Sequence, residues 1–71
     1  MLIVKSTDDK IATIEEVQAR PYRGAEFRRS YRLSIYDQDS ILYHVSMHKY
    51  KDWALDELKE ICFEVKGMEE I

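Results

Sequence analysis

The segment Phe27–Met47 reads FRRSYRLSIYDQDSILYHVSM, and its alternation is the clearest structural pattern in the chain. In its first half, mostly bulky side chains occupy the odd positions and Arg and Ser occupy the even ones. The odd residues are Phe27, Arg29, Tyr31, Leu33 and Ile35, and the even residues are Arg28, Ser30, Arg32 and Ser34. In its second half, the odd positions are Ile41, Tyr43, Val45 and Met47. A period of two predicts two β-strands, joined by the polar turn at 37–40.

The register of this hairpin depends on the length of its turn. A two-residue loop would pair Leu33 with His44 and mix apolar and polar side chains on one face. An odd-length turn or a bulge pairs Leu33 with Val45 and Ile35 with Tyr43. Because a one-residue slip moves every side chain to the other face, we expect the odd-length turn.

A helix is predicted over 52–66, after the hairpin. Asp52 is a candidate N-cap, and Gly67 is placed to end the helix in a left-handed conformation. An apolar stripe at helical spacing is expected to cover the odd-numbered side of the sheet. Its members are Ala54, Leu55, Leu58, Ile61, Cys62 and Val65.

The N-terminal third gives a weaker pattern. Leu2–Val4 is typical of a short strand, and residues 10–20 fit either a strand or a helix, with β-branched residues favouring the strand. A hairpin folded about Gly24 would place Val17 opposite Tyr31 and Glu15 opposite Leu33. The sequence thus predicts a single α+β domain over 1–71. We expect a three- or four-stranded antiparallel meander, with one C-terminal helix packed on one face.

Charge is segregated along the chain, although the net charge is only -3. All five arginines lie between Arg20 and Arg32, with Glu26 as the one acid there, whereas residues 52–71 hold seven acids and two lysines. These blocks either attract each other, within one fold or between two copies, or mark a region that faces a partner. The single Cys62 excludes an intramolecular disulfide and, with no membrane span or leader in the pattern, favours the cytoplasm.

Several chemistries are not indicated by the sequence. His44 and His48 lie four residues apart in a strand, about 13 Å, which is too far for one zinc ion. Cys62 lies on the apolar helix stripe beside Ile61 and Phe63, a setting typical of a buried structural thiol. We therefore expect no catalytic residues, no cofactor and no metal, and interpret the chain as a non-enzyme.

Two surfaces are candidates for binding. The even-numbered face of the hairpin would carry anion-binding or nucleic-acid-binding groups, namely Arg28, Arg32, His44, His48 and Tyr50. Trp53 and Phe63 lie off the apolar helix stripe and are candidate protein-interface residues, or else they fold back onto the sheet.

These surfaces give two function hypotheses. The leading one is a small interaction or regulatory module that self-associates, as a homo-oligomer, and binds a protein partner. The alternative is a small regulatory protein that binds nucleic acid through the arginine-bearing face.

Overall fold

The computed structural model describes residues 1–61 and 63–71, and this part of the chain forms an antiparallel sheet of five strands with one helix. The elements follow in the order β1 (Leu2–Ser6), β2 (Ile11–Ala19), β3 (Arg28–Tyr36), β4 (Leu42–His48), α1 (Lys51–Glu60) and β5 (Val65–Glu70). The strands lie in the order β4-β3-β2-β1-β5. The α+β class is as predicted, and none of the described helical residues form a segment long and apolar enough to cross a membrane.

One side of the sheet holds the core. β1, β2 and β3 each place two apolar side chains on that side, and the helix adds Ala54 and Leu58 from above. Phe63, just after the helix, is also buried there. The buried strand residues are Leu2, Val4, Ala12, Ile14, Leu33 and Ile35. The opposite side of the sheet, called the open face below, lies away from α1 and carries Thr13, Glu15, Val17, Ser30, Arg32, Val45 and Met47.

The predicted C-terminal helix is wrong at both ends. It begins after Tyr50, whose side chain makes no capping hydrogen bond, so Asp52 is not the N-cap. It ends at Glu60, and the N–H of Phe63 donates to the Leu58 carbonyl at 2.9 Å, which closes the last turn and turns Phe63 into the core.

A fifth strand follows where the sequence predicts helix. Gly67, the predicted helix terminator, lies within β5 and pairs with Lys5 of β1. This strand satisfies the outer edge of β1, whose backbone groups would otherwise lack partners. The prediction that Cys62 is a buried structural thiol lies outside the described residues.

The turn between β3 and β4 has the predicted odd length. The Asp37 N–H donates to the Ile41 carbonyl at 3.0 Å, and the Asp37 carboxylate accepts from the Ile41 N–H at 2.9 Å, which leaves three residues in the loop. Ser40, the last of them, has φ 64, as expected for the left-handed residue of a three-residue hairpin loop.

The predicted pairing across this hairpin is nevertheless wrong, because a bulge follows the turn. Tyr36 pairs with Leu42, but the next pair is Ile35 with His44, so Tyr43 is an extra residue on β4. The bulge reverses the side on which every later β4 residue lies. Leu33 therefore pairs with Ser46 and is fully buried, whereas Val45 is 50% exposed.

For residues 11–19, the strand alternative is correct. The predicted pairs around Gly24 are shifted by one residue, since Val17 pairs with Ser30 and Glu15 with Arg32. This register pairs Ile14 with Leu33, so that two of the largest buried side chains meet on the core side. Burial of both against α1 stabilises this register over the predicted one.

Candidate functional site

A cluster of polar side chains lies between β4 and α1, and we call it the Glu57 cluster. The β4 bulge turns His44, Ser46 and His48 toward the helix, where they converge on the carboxylate of Glu57. His48 Nε2 lies 2.7 Å from Glu57 Oε2, and His44 Nε2 lies 3.3 Å from Oε1. Ser46 Oγ donates to Oε2.

The carboxylate of Glu57 is held in its charged form by these neighbours. Its side chain is only 21% exposed, and burial by itself raises the pKa of a carboxyl group. Hydrogen bonds with Ser46, His48 and His44, together with the charge of His48, outweigh burial and hold the pKa of Glu57 below its ordinary value of 4.5. The cluster therefore joins the edge strand to the helix.

The Glu57 cluster contains the residue types of a Ser-His-acid triad, but its connections differ. In such a triad, the histidine uses one ring nitrogen for the acid and the other for the serine. Here the same atom, His48 Nε2, lies 2.7 Å from Glu57 Oε2 and 3.1 Å from Ser46 Oγ. This arrangement lacks the two-sided relay of a triad and is typical of a structural network.

A metal site is not formed by these groups either. No three His, Cys, Asp or Glu side chains among residues 1–61 and 63–71 are placed to hold one ion. The imidazoles instead use their Nε2 atoms on the carboxylate.

The predicted anion-binding set is divided between the two sides of the sheet, which corrects that prediction. His44 and His48 lie on the helix side, while Arg32 lies on the open face, where it pairs with Glu15 at 2.8 Å. Tyr50 precedes the helix, and its ring packs edge-on against Trp53 with 4.7 Å between ring centroids. The bulge in β4 causes this division between the two sides of the sheet, since an unbulged β4 would place His44 beside Arg32 and Ser34.

Arg28 belongs to a different group of cations, which the sequence analysis did not assemble. Together with Arg20, Arg29 and Lys49, it lines a groove of about 330 Å³ at the end of the sheet where β2 and β4 end and β3 begins. We call this feature the cationic groove. The run of arginines was the available signal for it, but Lys49 joins them only through the register of β4.

The two predicted interface residues separate as well. Phe63 is 8% exposed and lies in the core, so it is not available as a surface contact. This agrees with the alternative prediction, in which the side chain folds back onto the sheet. Trp53 is 52% exposed and lines a shallow recess with His48 of β4 and the acidic side chains of the helix. Its position is consistent with the interface prediction.

The apolar residues of β4 form a further surface. Leu42, Val45 and Met47 are each about half exposed on the open face of this outer strand, whereas Tyr43, the bulged residue, lies near Phe63 and Glu64. Sequence reasoning missed this surface because it assigned the odd-numbered side of β4 to the core.

The segregated charges do not neutralise each other within the chain. In the described residues, the arginines that form ion pairs are Arg29 and Arg32, and their partners are Glu16 and Glu15 of β2 rather than acids of the helix. The acidic helix and the cationic groove therefore remain separate surfaces.

Comparisons with known proteins gave no match to this chain. No protein-family model matches the chain, and no similar protein was found among curated proteins or solved structures.

Proposed function

We propose that this protein is a non-enzymatic interaction module that self-associates through the outer edge of β4. The occupant of that edge is a second copy of the chain, whose β4 pairs antiparallel with the first. The observation that carries the proposal is the difference between the two outer strands of the sheet.

Outer strands present unpaired backbone groups, and proteins protect such strands with charged residues, Pro or bulges. β5 has this protection, since Lys66, Glu69 and Glu70 lie along its length. β4 has the sequence LYHVSMH, without Asp, Glu, Lys, Arg or Pro. Its one bulge lies at the start of the strand, which leaves residues 44–48 regular.

Side-chain exposure favours the same edge. The centre of the open face is polar, with the Arg32–Glu15 ion pair and Ser30 across the middle strands. Its most exposed apolar side chains lie on β4, where Val45 and Met47 are 50% and 49% exposed. Two copies stacked face to face would bury the ion pairs at a desolvation cost, whereas edge pairing leaves them in water.

A symmetric pair places identical residues opposite each other at the twofold axis. Val45 is the middle residue of β4, so an axis there sets Val45 against Val45 of the second copy. Trp53 lies beside His48 at the end of β4, on the helix side of the same edge. The added buried area also supports a chain of this size, whose own core is small.

The proposal predicts that Val45→Lys abolishes self-association. A lysine at the centre of an edge strand opposes its own copy across the axis and resists strand pairing through like-charge repulsion. We expect the weight-average mass in sedimentation equilibrium to fall from that of a dimer to that of a monomer, while circular dichroism shows an unchanged fold.

Val65→Lys is the matched control, because Val65 lies in the other outer strand and is 43% exposed. It should leave the dimer intact. A wild-type chain that stays monomeric at high concentration, or an equal loss of dimer in both variants, contradicts the proposal. Fluorescence of Trp53, the single tryptophan, gives a second measurement, since its emission should shift to longer wavelength on dilution of the wild type.

A further inference from the structure

The cationic groove is a concentration of positive charge on a chain whose net charge is negative. Arg20, Arg28, Arg29 and Lys49 line it, and no acidic residue does. Its remaining walls are mainly apolar, formed by Ala19, Pro21 and Met47, with Ser30 as a hydroxyl group. The groove therefore combines positive charge with an apolar floor.

Most of these cationic side chains are not neutralised by a close ion pair with a described acidic residue. Arg29 approaches Glu16 only at 3.9 Å, and Arg20 stacks over the ring of Phe27 at 4.7 Å from its centroid. Arg28 and Lys49 form no ion pair with any described residue. Guanidinium groups that lack a close carboxylate partner are suited to forked hydrogen bonds with phosphate oxygens.

Exposed aromatic rings lie next to the groove. Phe27 directly precedes β3, and Tyr22 follows the groove residue Pro21 in the same loop. Their exposed fractions are 61% and 71%, the latter the joint highest among the large hydrophobic residues. Neither ring lies in the core. Arg20 covers one face of Phe27, and the exposed remainder of that ring and the ring of Tyr22 can stack with bases.

We propose that the cationic groove binds single-stranded nucleic acid. The phosphodiester backbone contacts Arg20, Arg28 and Lys49, while bases stack on Phe27 and Tyr22. Stacking on aromatic rings beside a positive groove is how proteins bind single strands without reading sequence. The acidic residues of a peptide share the charge but carry no aromatic ring to stack on Phe27 and Tyr22, whereas every nucleotide carries a base, which is why we favour nucleic acid.

The negative net charge does not prevent this contact. The groove residues Ala19, Arg28, Ser30 and Met47 lie on the open face, on the other side of the sheet from α1. The sheet thus separates the bound phosphates from the acids of the helix. Repulsion between the bound phosphates and these acids, across the sheet, is largely screened at physiological salt, where the Debye length is about 8 Å.

The test is fluorescence anisotropy with labelled single-stranded DNA and RNA of about 12 nucleotides. The wild type should bind both, and its affinity should fall steeply between about 50 and about 300 mM salt. Arg28→Ala should weaken binding several-fold and lower the slope of log affinity against log salt by about 0.7, the value for one lost phosphate contact.

Arg32→Ala is the matched control, since it removes the same charge from the same strand and face but outside the groove, where Arg32 pairs with Glu15. It should leave the affinity nearly unchanged. Phe27→Ala should weaken binding without changing the salt slope, because stacking releases no counterions.

Four outcomes would overturn the proposal, and the first three concern the oligonucleotide measurements. They are an absence of salt-sensitive binding at low ionic strength, equal effects of Arg28→Ala and Arg32→Ala, and binding of poly-glutamate as tight as that of the oligonucleotide. A mononucleotide that binds as tightly as the oligonucleotide would also overturn it, by assigning the groove to a free nucleotide. Val45→Lys, which tests self-association, leaves Arg20, Arg28 and Lys49 in place, so the two proposals fail separately.

Discussion

Leu33→Ala is expected to lower the free energy of unfolding by about 2–5 kcal/mol, the range for deleting a large buried side chain. Leu33 is fully buried between the sheet and α1. A chain of this size has a total stability of roughly 4–10 kcal/mol, so this loss is a large fraction of the total and the variant should unfold at a much lower urea concentration than the wild type. Urea titration followed by circular dichroism measures the change.

Val45→Ala is the informative comparison. In the register that the sequence predicts, Val45 lies opposite Leu33 in the core, and its truncation would also be costly. In the structure it is 50% exposed, and its loss should change stability by less than about 1 kcal/mol. Titrations at low protein concentration keep self-association out of the comparison. Similar losses in both variants would contradict the bulged register.

Glu57→Ala is expected to destabilise the fold by about 1–3 kcal/mol, because it leaves polar partners without their acceptor. His44, Ser46 and His48 all depend on this one carboxylate and are themselves partly buried. Glu60→Ala is the matched control, since Glu60 lies one turn further along α1 and is exposed. That variant should stay within about 0.5 kcal/mol of the wild type.

The effect of Glu57→Ala should also depend on pH. The pKa of Glu57 is lowered in the folded protein, so the folded state binds this proton less readily than the unfolded chain. The resulting stabilisation is fully present above the ordinary pKa of 4.5 and is lost as the pH falls through the lowered folded value. The difference between wild type and Glu57→Ala should therefore shrink as the pH falls below about 4.5. A difference that grows on acidification would contradict this role.

The sequence predicted the local elements well, because local patterns determine them. Period-two alternation identified β3 and β4, and β-branched residues correctly favoured a strand at 11–19. The turn after Tyr36 also had the predicted odd length. Each of these features depends on residues close together in the chain.

The errors concern contacts between distant residues. Tyr43 adds one residue to β4 without breaking its alternation, so the pattern gave no sign that the face reverses. The stripe from Ala54 to Val65 continues at helical spacing past the true end of α1, and only the need of β1 for a partner explains why Val65 starts a strand. The face that β4 presents and the residue at which α1 ends both depend on contacts between residues far apart in the chain.

The candidate sites followed the same division. The run of arginines predicted a basic surface, but the prediction united Arg28 with His44 and His48, which lie on the other side of the sheet. Lys49 and the acceptor Glu57 were missed because each reaches its cluster through the bulged strand. The single inserted residue thus accounts for most of the difference between the predicted and observed surfaces.

The surfaces described above require that the polar side of β4 faces the helix and its apolar side faces outward. Nuclear Overhauser effects in an isotope-labelled sample test this arrangement directly. We predict cross-peaks between the ring protons of His48 and the side-chain protons of Glu57, and none between the Val45 methyl groups and Leu58. Cross-peaks from Val45 to Leu58, with none from His48 to Glu57, would contradict the account.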